Sequence, residues 1–229
     1  MSAWIPARVT SVELLDGDVS TEESEKSLAD LEWVHRYLGG RRLVRRHLVP
    51  FLRSLETGDR SLSILDLGCG SGHVGRDVRI AARERGLSLR TYGLDQEIGH
   101  ARLASRGETV VADTTALPFP AASVDVIFST LFAHHFSGPA LERLLTESAR
   151  VARRGVVMFD LSRNRLAFAF ISLIGPLAFQ SEISMADGKA SVLQAYTPAE
   201  MAACAAEALP GVSVTPRGPF AWQLTWLRA

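Results

Sequence analysis

The stretch Ile64-Leu65-Asp66-Leu67-Gly68-Cys69-Gly70-Ser71-Gly72, ILDLGCGSG, reads as a strand running straight into a glycine turn. Glycines at positions 68, 70 and 72 open the helix that follows. Without a Cβ they let backbone N–H groups approach a ligand closely, and the helix N-terminus adds a favourable partial charge. Alone, the turn is also compatible with a ligand-free strand–helix connection or with a dinucleotide-binding loop.

Working outward, short apolar runs alternate with helical stretches. Ile64–Leu67, Leu89–Leu94, Thr109–Val111, Val124–Ser129 and Gly155–Phe159 read as strands. Helices to about Arg85, from Glu97 and over Pro139–Ala152 separate them. Continuous apolar strands alternating with helices predict an α/β fold, a doubly wound and mostly parallel sheet. Val212–Thr215 and Ala221–Leu227, with Pro216, Gly218 and Pro219 between them, predict a C-terminal antiparallel hairpin, for seven strands in all. Upstream, Glu22–Leu38 has helical spacing through Leu28, Leu31, Val34, Tyr37 and Leu38, with Ser20 or Thr21 as cap. A second helix covers about Arg42–Leu55, with Pro50 bending or splitting it. Residues 1–60 therefore read as an N-terminal helical cover, and 61–229 as the ligand-binding domain.

The residues after the turn sharpen its chemistry. Asp95, with Gln96 beside it, sits just beyond strand two, where an acid can accept both hydroxyls of a ribose. Asp113 and Thr114 lie at the end of strand three, where a short acceptor suits an adenine amino group. Singly, each Asp has an equal reading as a cap or turn former. Together with the turn they form one crescent at the carboxyl ends of three strands, where doubly wound sheets bind ligands. A dinucleotide fingerprint needs GxGxxG, and this turn is GCGSG.

The string ILDLGCGSG, the acid after strand two, then ADTTALPFPAASVDVIFS and LFAHHF, resembles class I S-adenosylmethionine-dependent methyltransferases. The resemblance implies the Rossmann-like methyltransferase fold and S-adenosylmethionine as cofactor, with S-adenosylhomocysteine as product. It implies that the Gly68, Cys69, Gly70 and Gly72 loop approaches the methionine moiety, that Asp66 supports the loop or the amino group, and that Asp95 takes the ribose. Asp113 and Thr114 then flank the adenine, and Ser129 and Thr130 lie near the sulfonium. Within the superfamily, WVHRYLGGRR, the paired histidines and ARRGVVMFDLSRNRLA look like small-molecule methyltransferases of bacterial secondary metabolism, including those associated with type III polyketide synthases. One departure is His35, where several relatives carry Asn; Arg36 is left to pair with the methionine carboxylate.

His134 and His135 follow strand four on the loop facing the methyl donor. An acceptor hydroxyl must lose its proton, and imidazole is a suitable base near neutral pH. The competing reading is that one or both are packed structurally. Leu166–Phe179, LAFAFISLIGPLAF, is too short to cross a membrane at ~1.5 Å per residue, and Gly175-Pro176 should break it. With Phe168, Phe170, Phe179 and Met185 it reads as part of an apolar lid over 162–192.

Bulk properties bound the rest. The chain has 229 residues, 25 basic and 25 acidic, so no basic surplus marks a general nucleic-acid binder. Cys69 and Cys204 are too few for a disulfide framework, and no spacing reads as a metal site, so no metal is expected. No basic-then-apolar leader is visible, which predicts a cytoplasmic protein, monomer or homodimer, with a small apolar acceptor and no stable membrane insertion. The expected activity is methyl transfer to a hydroxyl of a small apolar or aromatic, polyketide-like metabolite. Carbon methylation of a quinone-like or polyketide ring stays open beside it. So does a non-catalytic, S-adenosylmethionine-binding regulatory partner.

Overall fold

A computed structural model describes residues 7–11, 13–17, 19–55, 61–104 and 108–229. The Ser20 hydroxyl accepts the Glu23 N–H and starts helix α1, Thr21–Tyr37. The apolar spacing predicts Leu31, Tyr37 and Leu38 inward. The structure buries Leu28 of that stripe but leaves those three exposed, and buries Ser27, Asp30 and His35 instead. Asp30 accepts the backbone N–H groups of Gln180 and Ser181 at 3.0 Å. His35 lies 3.3 Å from Asp77 and packs edge-on against His73. Apolar periodicity cannot register a buried polar face whose partners lie elsewhere in the chain.

The helix expected over Arg42–Leu55 is α2 (Gly40–Leu43), a π turn (Val44–Leu48) and α3 (Val49–Ser54). Pro50 has no N–H and its ring crowds the carbonyl four residues back, Arg46, which lies inside that wider turn. Val44, Leu48, Val49 and Leu52 pack with Ile64, Val126, Phe128 and Val157 on one face of the sheet.

The sheet alternates with helices as the pattern predicts: β1 (Leu62–Leu67), α4 (His73–Arg83), β2 (Leu89–Asp95), α5 (Ile98–Leu103), β3 (Glu108–Val111), β4 (Val124–Thr130), α6 (Gly138–Val151) and β5 (Ala152–Leu161). Then come α7 (Arg165–Ala178), α8 (Glu182–Gln194), α9 (Pro198–Ala205), β6 (Ser213–Pro216) and β7 (Ala221–Leu227). Strand order is β3-β2-β1-β4-β5-β7-β6. The first five strands run parallel, and β7 is antiparallel to β5 and β6. The other face buries Leu65, Ile127, Leu144, Met201 and Trp222. The Trp222 indole N–H donates to the Tyr196 carbonyl at 3.1 Å, so the largest core side chain leaves no donor unpaired. Strand order reverses between β1 and β4, and the crevice outside their carboxyl ends is the natural ligand position.

The expected break at Gly175-Pro176 does not occur. Pro176 sits in the last turn of α7, which ends at Ala178. Leu166, Leu173 and Leu177 on α7 are exposed, while Phe170 stacks on Phe220. Among the described residues no helix is long and apolar enough to cross a membrane.

Candidate functional site

The turn after β1 holds Gly68, Gly70 and Gly72 at φ of +66°, +50° and +69°, the left-handed region that side chains avoid. Gly68 is doubly constrained, because a Cβ there would lie 2.2 Å from the Phe132 ring. Cys69 is buried in the turn. Burial, with Asp66 and Asp95 nearby, pushes its thiol far up, so it packs rather than reacts. Asp95 ends β2 and ties down the turn: one carboxylate oxygen accepts the Gly70 N–H at 2.8 Å, the other the Glu97 N–H at 3.0 Å. Gln96 beside it is exposed.

Two oxygens stand out next to the turn. Asp66 Oδ2 and Ser129 Oγ are buried and have no hydrogen-bond partner. They lie at the carboxyl ends of the neighbouring strands β1 and β4, with Leu67 opposite Ser129. Burial, with Asp95 close by, pushes the Asp66 carboxyl well above its ordinary range. Buried polar atoms without partners are uncommon and costly. An ammonium is a donor that the end of β1 lacks, so Asp66 fits the amino group of the adenosyl amino acid that the sequence implies.

The other predicted site residues are placed less tightly. Thr130 is half-buried at the end of β4. Thr114 is buried, but Asp113 is exposed and its Oδ1 accepts the Thr115 N–H at 2.7 Å and the Thr115 hydroxyl at 2.8 Å, closing its own turn. Arg36 is exposed and lies 3.4 Å from Glu32. Its neighbour His35 is the residue that packs beside the turn's helix, against His73. Burial, next to His35, pushes the His73 pKa down to about 3. An open hollow of about 600 Å³ runs along α4 to the start of β2, lined by Arg76, Arg79, Ile80 and Leu87–Leu89, and none of the predicted site residues lines it.

Past β4 the chain turns sharply. Leu131 has φ +53°, a strained conformation for a leucine, and its N–H donates to Phe159 O at 2.9 Å. This aims Phe132 over Gly68 and sends Ala133–His135 into a 3₁₀ turn. His134 is 2% exposed. Its Nδ1 lies 2.7 Å from Asp160 Oδ1, and its backbone N–H donates to Asp160 Oδ2 at 2.9 Å. Its Nε2 lies 3.3 Å from Glu13 Oε1, without hydrogen-bond geometry. Burial pulls the imidazole pKa down, but Asp160 and Glu13 outweigh it and hold it near 10. His134 is thus enclosed between two buried carboxylates, Asp160 at Nδ1 and Glu13 at Nε2, and is far less accessible than its neighbour His135. His135 is half-buried, 6.0 Å from the Phe132 ring, with Nε2 3.8 Å from Glu13 Oε2.

Glu13 comes from the N-terminal stretch ahead of α1. Ser191 and Gln194 of α8 donate to its Oε1 at 2.6 and 3.2 Å. Burial would raise its pKa, but His134, His135 and Ser191 lower it. Arg8 fastens the same stretch, donating to the carbonyls of His134 and Phe136 at 2.8 and 3.0 Å. No metal-ligand set was legible in the sequence. Among the described residues the structure assembles one group of that kind: Glu13, His134 and His135 place one ligand atom each within 4.8 Å of one another.

Residues 65–159 match the family model of a methyltransferase domain. A "probable S-adenosylmethionine-dependent methyltransferase" of Mycobacterium tuberculosis is 30% identical over 152 residues, 66% of this chain and 51% of that protein. The 27-O-demethylrifamycin SV methyltransferase of Amycolatopsis mediterranei is 32% identical over 108 residues, 44% of this chain and 37% of that one. The chain thus spans about half the length or less of these curated relatives. Among solved structures, the plantazolicin methyltransferase BpumL with a triazolic desmethylPZN analogue and S-adenosylhomocysteine superposes with a TM-score of 0.61 at 15% identity, covering 91% of this chain and 97% of that one. An S-adenosylmethionine-dependent methyltransferase of Aquifex aeolicus gives 0.58 at 16% identity, covering 93% of this chain and all of the other.

Proposed function

We propose that this chain, whose residues 65–159 belong to the class I S-adenosylmethionine-dependent methyltransferase domain family, moves the methyl group of S-adenosylmethionine to a hydroxyl of a small, apolar, polyketide-like metabolite. The observation that carries the reading is the crescent at the strand ends. It comprises a left-handed glycine turn, an Asp95 carboxylate fastened to it, and two buried oxygens, Asp66 Oδ2 and Ser129 Oγ, that lack donors. The cofactor supplies an electrophilic methyl carbon on a sulfonium. Asp66 meets its amino group, Asp95 its ribose, and the 113–114 turn flanks its adenine. The Phe132 ring against Gly68 and its neighbour His135 mark the acceptor side. Alignment of the two reactants in that crevice supplies much of the acceleration. Of the paired histidines, His135 is the one on the acceptor side with part of its ring accessible, and it serves removal of the hydroxyl proton.

Support for the acceptor class comes from the rifamycin methyltransferase relative and from the aromatic pair Phe132 and Phe136 beside the turn. The reading places the reaction in the cytoplasm, on a monomer or homodimer, with residues 1–60 as cover and 162–192 as lid. The test joins calorimetry to a methyl-transfer assay on polyketide-like phenols and alcohols. Wild-type protein binds S-adenosylhomocysteine. His135→Ala keeps that affinity and loses ~10²–10⁴ in kcat. A wild-type chain that fails to bind S-adenosylhomocysteine overturns the reading, and His135→Ala at full rate removes His135 from it.

A further inference from the structure

We propose that Glu13, His134 and His135 form a site for one divalent transition metal, zinc by preference, beside the acceptor crevice. The donor set is two imidazole nitrogens and one carboxylate, converging to within 4.8 Å of one another. Two histidines with one glutamate, and a position left open, are a recurrent catalytic zinc arrangement.

Four features make this more than a chance cluster. First, His134 Nε2 is buried, has no hydrogen-bond partner, and points at Glu13. Second, the other ring nitrogen is already held by Asp160, which is 1% exposed. That is the carboxylate–histidine support that orients metal-bound imidazoles and fixes their tautomer. Third, Glu13 is itself oriented, by Ser191 and Gln194. Fourth, the charges balance. Two buried carboxylates, Glu13 and Asp160, face two imidazoles. One divalent cation with both rings neutral offsets both negative charges, as two added protons would.

The half-buried His135 ring is the accessible side of the cluster, and it adjoins Phe132, whose ring covers Gly68. The open coordination position therefore faces the acceptor. There the metal lowers the pKa of an acceptor hydroxyl, as zinc does for bound water. The hydroxyl proton leaves to solvent, the oxygen attacks the methyl carbon, and the carbon–sulfur bond breaks to give the methyl ether and S-adenosylhomocysteine. This role rests on the hydroxyl-transfer reading, whereas metal binding itself does not. In the metal-bound protein His135 acts as a ligand, and activation of the hydroxyl passes to the ion.

The test is metal binding by the purified full chain, stripped with a chelator and titrated with zinc ion against a chromophoric competitor. One equivalent of zinc is expected, with affinity lowered at least about tenfold in Asp160→Asn and further in Glu13→Gln and His135→Gln. S-adenosylhomocysteine affinity, measured on the same variants, reports that they are folded. Should a variant fail to fold, cobalt(II) in the wild-type protein gives the answer by the visible absorption of a four- or five-coordinate nitrogen–oxygen site. Zinc binding well below one equivalent overturns the proposal, as does affinity unchanged in Glu13→Gln and His135→Gln, or a six-coordinate aquo-like cobalt spectrum. Any of these results, with S-adenosylhomocysteine still bound, leaves the methyltransferase reading in place and returns proton removal to His135.

Discussion

Replacing Asp95 by Ala should weaken cofactor binding by one to two orders of magnitude without unfolding the chain. The carboxylate spends one oxygen on the Gly70 N–H at 2.8 Å and the other on the Glu97 N–H at 3.0 Å. An ionised carboxylate has about four acceptor positions, and with His100 Nδ1 also 3.5 Å from the Glu97-bonded oxygen, about one or two remain for the ribose hydroxyls. A hydrogen bond to a charged group contributes ~1.5–3 kcal/mol. Losing one such bond lowers affinity by about tenfold to somewhat over a hundredfold, at 1.4 kcal/mol per decade. The lost Gly70 tether also loosens the turn, which weakens every ligand alike. A cycle separates the two effects: wild type and Asp95→Ala are each titrated calorimetrically with S-adenosylhomocysteine and with its 2′-deoxy analogue. Wild type should prefer the hydroxylated ligand, and the variant should be nearly indifferent. Equal discrimination by both proteins would refute the ribose assignment, even if overall affinity falls.

Gly68→Ala should destabilise the chain and impair cofactor binding together. It forces a side chain to φ +66° with its Cβ 2.2 Å from the Phe132 ring, and Phe132→Ala in the same chain should restore part of the thermal midpoint. His73 should make stability sensitive to acid. Its pKa is about 3 folded against an ordinary 6.5, so the unfolded chain binds the proton first; this contribution is complete above pH 6.5 and is lost as pH falls toward 3. Between pH 7 and 5 the stability advantage of wild type over His73→Gln should shrink by ~2 kcal/mol in urea titrations, at 1.36 kcal/mol per pK unit; an advantage independent of pH would show that His73 does not titrate this way. Taking that difference cancels Asp66, whose raised pKa acts with the opposite sign.

What was legible in the sequence was local. ILDLGCGSG announces its strand, turn and helix within nine residues, because left-handed backbone and close ligand approach demand glycine where they occur. The alternating apolar runs place β1 to β5 to within a few residues, and Pro216, Gly218 and Pro219 mark the hairpin. Failures came where a partner is remote in sequence. Asp30 and His35 look like the polar face of α1, yet they are buried against Gln180, Ser181, Asp77 and His73. Pro176 looks like a helix breaker, but α7 runs through it and ends two residues later, at Ala178.

The site divides along the same line. Its cofactor side consists of backbone conformation and strand-end residues, and their positions follow from the chain's own order: turn after β1, acid after β2, Ser129 on β4. The proposed acceptor side is made by convergence. Glu13 meets His134 across 121 residues, and no periodicity or motif links them. What brings them together is tertiary: Arg8 donates to the His134 and Phe136 carbonyls, and Asp187 of α8 accepts the Leu14 and Leu15 N–H groups at 2.8 and 2.9 Å. The N-terminal stretch is thereby fastened over α8 and the histidine turn by two tethers, Arg8 and Asp187. A side chain delivered in this way can change without disturbing the glycine turn, since neither tether touches it. On the proposed reading, acceptor chemistry is set by Glu13 and the loop after β4 while cofactor recognition stays with the strand ends, and substitutions at Glu13 and at Asp95 should act on separable measurements.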